Sequence, residues 1–331
     1  MFDRSLSMSF HSLTYPSNTL GVNVQRNSHK RSLNPLLAMP PSCILLPTGD
    51  GNFPESKKGS GLSTGSTVSL SNSLLGQANT VGIIGGVSVV STLTFLRNLV
   101  EWSSKDSQNS LPFVLCSDPS LNKELISHEK NLFPSFNRSD SNPLDQMLIV
   151  ENLKSKRIFL EKSGARCIVM PCHISHIWHE EVSKGCSVPF LHMGECVAKE
   201  LKEAKLKPLE AGSHLRIGVL ATNAILSAGF YQEKLQNEGF EIVLPDKATV
   251  ERTVIPSIEA LNRKDMEGAR NLLRIALQVL LLRAVNTIIL ASDDMRDLLP
   301  RDDPLLKKCT DPMDALVRST IKWAQTVEKD M

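Results

Sequence analysis

From Thr80 onward the sequence alternates between short apolar runs and longer stretches whose apolar residues recur at helical spacing. The runs TVGIIGG (80–86), LPFVLCS (111–117) and CIVMP (167–171) end in glycine, serine and proline, and VPFLHM (188–193) is a fourth such run. Between them stand STLTFLRNLVEW, NPLDQMLIVENLKSKRIFLEKSG, ISHIWHEEVSKG and GECVAKELKEAK. The second of these carries Asn142-Pro143 at its start and Gly164 at its end, as a capped helix does. The grammar then restarts. LRIGVLAT (215–222), FEIVLP and VNTIILAS (285–292) are strands; NAILSAGFYQEKLQNEG, most of 250–283 and DALVRSTIKWAQTVEKD are helices. Strands alternating with helices predict mainly parallel sheets flanked by helices on both faces, an α/β fold. Two successive runs predict two similar domains.

The first 48 residues read differently. They are rich in Ser, Asn and Pro and hold four basic residues (Arg4, Arg26, Lys30, Arg31) against one acidic residue, Asp3. That is the composition of an organelle transit peptide, or else of a polar tail with no address. Residues 49–78, with KKGSGLSTGS and SLSNS, read as a Gly/Ser linker.

Bulk composition excludes several classes. Net charge is +2, charged residues are 22% and aromatics 5%, which argues against a nucleic-acid surface or a base-stacking platform. No apolar stretch reaches the roughly 18–20 residues that span a bilayer, so the expectation is a soluble protein. Seven scattered cysteines without a CxxC pair suggest neither a disulfide framework nor a zinc ribbon.

In open parallel sheets ligands bind at the carboxyl ends of strands. Those tips carry Gly85-Gly86-Val87-Ser88, Cys172-His173-Ile174, His192, Thr222-Asn223 and Ser292-Asp293-Asp294. GIIGGVS lacks the third glycine of a dinucleotide fingerprint. Its pair of glycines is either a tight strand-to-helix turn or a close backbone approach with amides free for an anion. Cys172 follows a proline at a strand tip and precedes a helix, where the helix dipole favours thiolate. His173, His176 and His179 repeat every three residues, about 300° around an α-helix, so His179 is expected to face solvent. A Cys-His-His metal site is the competing reading, and no metal is expected here. Thr222-Asn223 and Asp293-Asp294 serve as ligand contacts or as plain helix caps.

TVGIIGGVSVVSTLTFL, IVMPCHISH, VPFLHM, GVLATNAILSAGFYQEKLQNEGFEIVLP and NTIILASDDMRDLL, in that order, resemble the aspartate/glutamate racemase family from about residue 79 to about 328. With its Ser-rich leader the chain is similar to a plant member sent to the chloroplast. The resemblance implies two pseudo-symmetric α/β domains with the active site in the cleft between them. The first would comprise 79–195 plus the returning helix of 302–331, the second 196–301. It also implies an amino-acid racemase that works without a cofactor on a small amino-acid or dicarboxylate substrate; dimers are common among such proteins.

In that family two cysteines flank the substrate's Cα, one removing the proton and the other returning one. Cys172 matches the first. Ser292 stands where the second belongs, and His173 where an asparagine is usual. A serine hydroxyl is a far weaker acid and base than a thiol, and the neighbouring Asp293 and Asp294 do not lower its pKa. Three readings follow: an isomerase using Cys172 opposite Ser292, with His192 as a further catalytic candidate; a one-cysteine decarboxylase or lyase; and a non-catalytic carboxylate binder. The first is preferred. Gly86, Val87, Ser88, His173, Ile174, Thr222, Asn223 and Asp293 are the expected substrate contacts.

Overall fold

The computed structural model describes residues 77–86, 89–106, 111–118, 120–123, 125, 143–209 and 212–329. All fall within one compact unit, Ser66–Met331. The leader 1–48, the linker up to residue 76, and Val87 and Ser88 lie outside the described residues.

The first sheet is built from β1 (Val81–Ile84), β2 (Phe113–Cys116) and β3 (Cys167–Val169), all parallel, in the order β2-β1-β3. Helix α1 (Val89–Asp106) follows β1, and α2 (Pro143–Lys162) leads into β3. The second sheet is also parallel, in the order β5-β4-β6-β7. Its strands are β4 (Arg216–Ala221), β5 (Glu241–Val243), β6 (Thr287–Ala291) and the short β7 (Cys309–Thr310). The α/β architecture expected from the alternation is therefore present.

Several elements differ from the sequence reading. VPFLHM is not a full strand: it pairs through one parallel bridge, Ile168 with Phe190. Ile168 donates to the Pro189 carbonyl at 2.8 Å and accepts from the Leu191 amide at 3.0 Å. Proline has no N–H with which to extend the ladder. The stretch 223–239 is two helices, α5 (Asn223–Ala228) and α6 (Phe230–Asn237). Gly229 separates them at φ +73, the left-handed conformation that ends helices. ISHIWHEEVS begins as a 3₁₀ turn, Ile174–Trp178, before the short α3 (His179–Ser183). A π-turn, Val250–Val254, interrupts the helix between Lys247 and Asn262.

Strand periodicity sorts the core. On β4, Val219 and Ala221 join a cluster shared with the first sheet, while Leu220 joins a second cluster. On β6, Ile289 and Ala291 go to the shared cluster, and Ile288 and Leu290 to the other. Successive side chains of a strand point to opposite faces, so the second sheet is covered on both sides. Helix α4 (Met193–Glu203) and the closing helix α7 (Pro312–Lys329) pack together, joined at their surface by Arg318 on Glu200 at 2.7 Å twice and Lys322 on Glu203 at 2.8 Å. Arg318 also lies 5.5 Å above the Trp102 ring of α1. Exposed pairs of this kind add little; the buried apolar faces beneath them hold the helices. Among the described residues no helix is long and apolar enough to cross a membrane.

Gly82, inside β1, shows how tightly the first sheet meets its helix. A Cβ there would lie 2.8 Å from the Cβ of Ala165 and 3.2 Å from that of Leu160. Gly82→Ala is expected to cost about 1–3 kcal/mol, the usual range for overpacking, read as a lowered urea midpoint; an unchanged midpoint contradicts this packing.

Candidate functional site at the strand tips

The tips of β1 and β3 meet at Cys172. Gly86 ends the β1 segment, and a Cβ on it would stand 2.0 Å from the Cys172 Cβ and 2.5 Å from its Sγ. No side chain fits there; the second glycine is present because the cysteine occupies its space. Gly85 is similarly pressed, its absent Cβ falling 2.8 Å from the Ser117 Oγ at the tip of β2. Close approach, rather than a turn alone, explains the pair. The Gly86 amide is directed at the Thr92 hydroxyl over a long 3.4 Å, so in this structure it is not a free anion donor.

His173 carries the contact from the first sheet to the second. Its Nδ1 lies 2.9 Å from the Tyr231 Oη on α6, and its Nε2 lies 3.9 Å from the Asp293 Oδ1 just past β6. The second distance is too long for a hydrogen bond. The Nδ1–Oη contact is one hydrogen bond whose donor is set by the imidazole tautomer. Burial first, and then the Arg296 guanidinium, push the His173 pKa down to about 3. Burial and the nearby Asp293 and Asp311 hold the Tyr231 hydroxyl well above its ordinary pKa. The pair is thus neutral, a fixed polar strut between the two sheets.

Ser292 precedes Asp293 and is buried. Its Oγ accepts from the Asp294 amide at 3.3 Å. Residues 293–298, directly after β6, are turns, so no helix begins at Asp293 or Asp294 for either to cap. Thr222 occupies the N-cap position of α5 without a side-chain capping bond, and Asn223 opens that helix. Ile174 is buried in the core shared by both sheets.

His192 sits in a different group. It caps α4, with Nδ1 accepting from the Gly194 amide at 3.0 Å. Its ring lies 4.6 Å from His179, 5.0 Å from His176 and 5.4 Å from Phe230. His179 does not face solvent as expected from α-helical phase. In a 3₁₀ turn three residues make one revolution, so His176 and His179 align, and their rings stack at 5.6 Å. His176 donates from Nε2 to the Met170 carbonyl at 2.9 Å, a bond that fixes its tautomer. Among the described residues no group of three or more His, Cys, Asp or Glu side chains is arranged to hold a metal ion.

Tyr231 and Arg296 were not foreseen. Arg296 is held by Asp311 at 2.8 Å and Asp314 at 3.1 Å, and Asp314 also accepts from Asn98 of α1 at 3.2 Å. Nothing local in the sequence marks these residues, because their partners are distant along the chain.

The family model for Asp/Glu/Hydantoin racemases matches residues 84–320. The chain belongs to that family. A broad-specificity amino-acid racemase of Bacillus subtilis is 24% identical over 173 residues, 50% of this chain and 64% of the relative, so the chain spans less than two thirds of that relative's length. The solved aspartate racemase of Picrophilus torridus is 26% identical, with 74% of this chain and 94% of that one covered at a TM-score of 0.55. An aspartate racemase homologue from Pyrococcus horikoshii, 20% identical with 75% and 99% covered, shares the fold at a TM-score of 0.56.

Two expectations follow from this geometry. Gly86→Ala should lower the melting temperature by several degrees, and Cys172→Gly in the same chain should recover most of the loss, a coupling only direct contact explains; additive effects contradict it. The second concerns pH. His173 and His192 are each pushed down to about 3, chiefly by burial, and His176 is lowered as well. Unfolded imidazoles titrate near 6.5, so between these values the unfolded chain binds more protons than the folded one. Stability is therefore full above about pH 6.5 and is lost as pH falls toward 3. His192→Asn, which keeps a capping oxygen, should flatten that decline by about one proton, roughly 1.4 kcal/mol per pH unit; an unchanged slope by urea denaturation contradicts it.

Proposed function

We propose that this protein is an amino-acid isomerase of the racemase type, working without a cofactor, in which Cys172 takes and returns the Cα proton of a small amino acid. The observation that supports this most is the compression of Cys172 onto Gly86. A thiol kept only to fill space has no need of a strand tip stripped to glycine, whereas a reacting thiol must be held in one place. Family membership supports the same reaction class, and the B. subtilis relative is named for broad-specificity amino-acid racemisation.

In the proposed cycle the Cys172 thiolate accepts the Cα proton, and the electron pair left on Cα spreads into the substrate's α-carboxylate. The same thiol then redelivers a proton to Cα on the face it occupies. Return to the opposite face needs a donor there. Ser292 supplies only a hydroxyl, too weak an acid to match a thiol. Proton exchange should therefore outrun inversion. His173 and Asp293, with Thr222 and Asn223, are the proposed polar contacts for the substrate, and Val87, Ser88 and Ile174 belong to the same proposal. His192, which caps α4, belongs to the proposal as a further catalytic candidate.

The division into 79–195 plus 302–331 and 196–301, the pairing of two copies and plastid delivery by residues 1–48 complete the proposal. The two sheets support the first, and leader composition alone supports the last.

The test is Cα exchange in heavy water, followed by mass spectrometry on the common amino acids. Wild type should wash deuterium into at least one of them faster than it inverts it. Cys172→Ala should lose exchange by 10²-fold or more, the usual scale for removing an acid/base group. Ser292→Cys should raise inversion relative to exchange by about tenfold or more. Full exchange in Cys172→Ala ends the proposal.

A further inference from the structure

A cavity of about 850 Å³ is walled by α4, by the closing helix α7 and by the segment from Phe190 to His192 that leads into α4. Sites for small organic ligands run from about 300 to 1,000 Å³ and are lined mostly by apolar groups with a few polar ones. This wall is of that kind. Phe190, Leu191 and Trp323 pack on the core yet stay only half-buried, so part of each apolar surface is left uncovered. Cys172, His173, Ser292 and Asp293 are not among the walls. Of the side chains proposed for amino-acid chemistry only His192 reaches it, where it caps α4.

The charges on the wall are paired, with one exception. Glu200 holds Arg318 through two contacts of 2.7 Å, Glu203 holds Lys322 at 2.8 Å, and Glu195 holds Lys234 at 3.0 Å. Lys199, which stands among these three acids on α4 and lines the same cavity, makes no ion pair or hydrogen bond among the described residues. A solvated lysine means little by itself. Here it is the one unspent charge beside an apolar space that contains two aromatic rings.

We propose that this cavity is a second ligand site, separate from the strand tips, and that it takes a small aromatic monocarboxylate. The ring of the ligand lies against Trp323 and Phe190, where burial of apolar surface and ring–ring contact stabilise it. Its carboxylate pairs with Lys199, whose flexible four-carbon stem lets the ammonium follow the ligand. One negative charge is what the wall accommodates. A second would meet Glu195, Glu200 and Glu203, and a cation would be repelled by Lys199. The site stands on the cavity and its walls, so it holds whether or not the strand tips carry out Cα chemistry.

The probe is 4-benzoylbenzoate, an aromatic monocarboxylate whose ketone attaches to neighbouring C–H groups under ultraviolet light; its carboxamide is the uncharged control. On the full chain, titration calorimetry should show the acid binding about tenfold or more tighter than the amide. Irradiation, digestion and mass spectrometry should place the label on peptides from 190–204 or 318–326. Lys199→Gln changes an exposed side chain, so folding is not at risk. It should weaken the acid about tenfold and leave the amide within about twofold. Acid and amide bound alike, an affinity for the acid that Lys199→Gln leaves unchanged, or a label confined to peptides carrying residues 172 or 292 overturns the inference. Binding of neither probe, as when a second copy of the chain covers the cavity, overturns it as well.

Discussion

A neutral imidazole between the two sheets organises this molecule. His173 leaves the tip of β3, meets Tyr231 at 2.9 Å and faces Asp293 beyond β6 at 3.9 Å. Because burial and Arg296 hold its pKa low, it meets Tyr231 as a neutral hydrogen-bonding group and not as an ion pair with a desolvation penalty. Its neighbour in sequence is Cys172, and the neighbour of Asp293 is Ser292.

The glycine at the end of β1 completes the constraint. With Gly86 against the Cys172 Cβ, the thiol is fixed from the first sheet while His173 fixes the backbone beside it from the second. Pre-organisation of this kind suits a group that must meet one hydrogen of a bound molecule. Beside it, His176, His179 and His192 pack ring against ring, and His192 caps α4.

Much of this was legible in the chain itself. The apolar runs from Val81 to Ile84, Arg216 to Ala221 and Thr287 to Ala291 are strands, and their alternation with helices dictated parallel sheets. The strand-tip rule led directly to Cys172, His173 and Ser292. The histidine repeat was misread because apolar spacing cannot tell a 3₁₀ turn from an α-turn, and the difference of 0.6 residue per turn decides where His179 points. VPFLHM looked like a strand but pairs only at Phe190. Tyr231 and Arg296 left no local trace, because their meaning lies in contacts with His173, Asp311 and Asp314 that only folding assembles.

The claim on which everything turns is that positions 172 and 292 face each other across a gap one small molecule wide. It can be measured without any substrate. Ser292→Cys in the full chain, treated with 1,3-dibromoacetone and digested, should yield a single cross-linked species joining the peptides that carry residues 172 and 292, because that reagent bridges only thiols a few ångströms apart. Separate alkylation of the two cysteines with no joined peptide, in protein that is otherwise folded, would contradict the account.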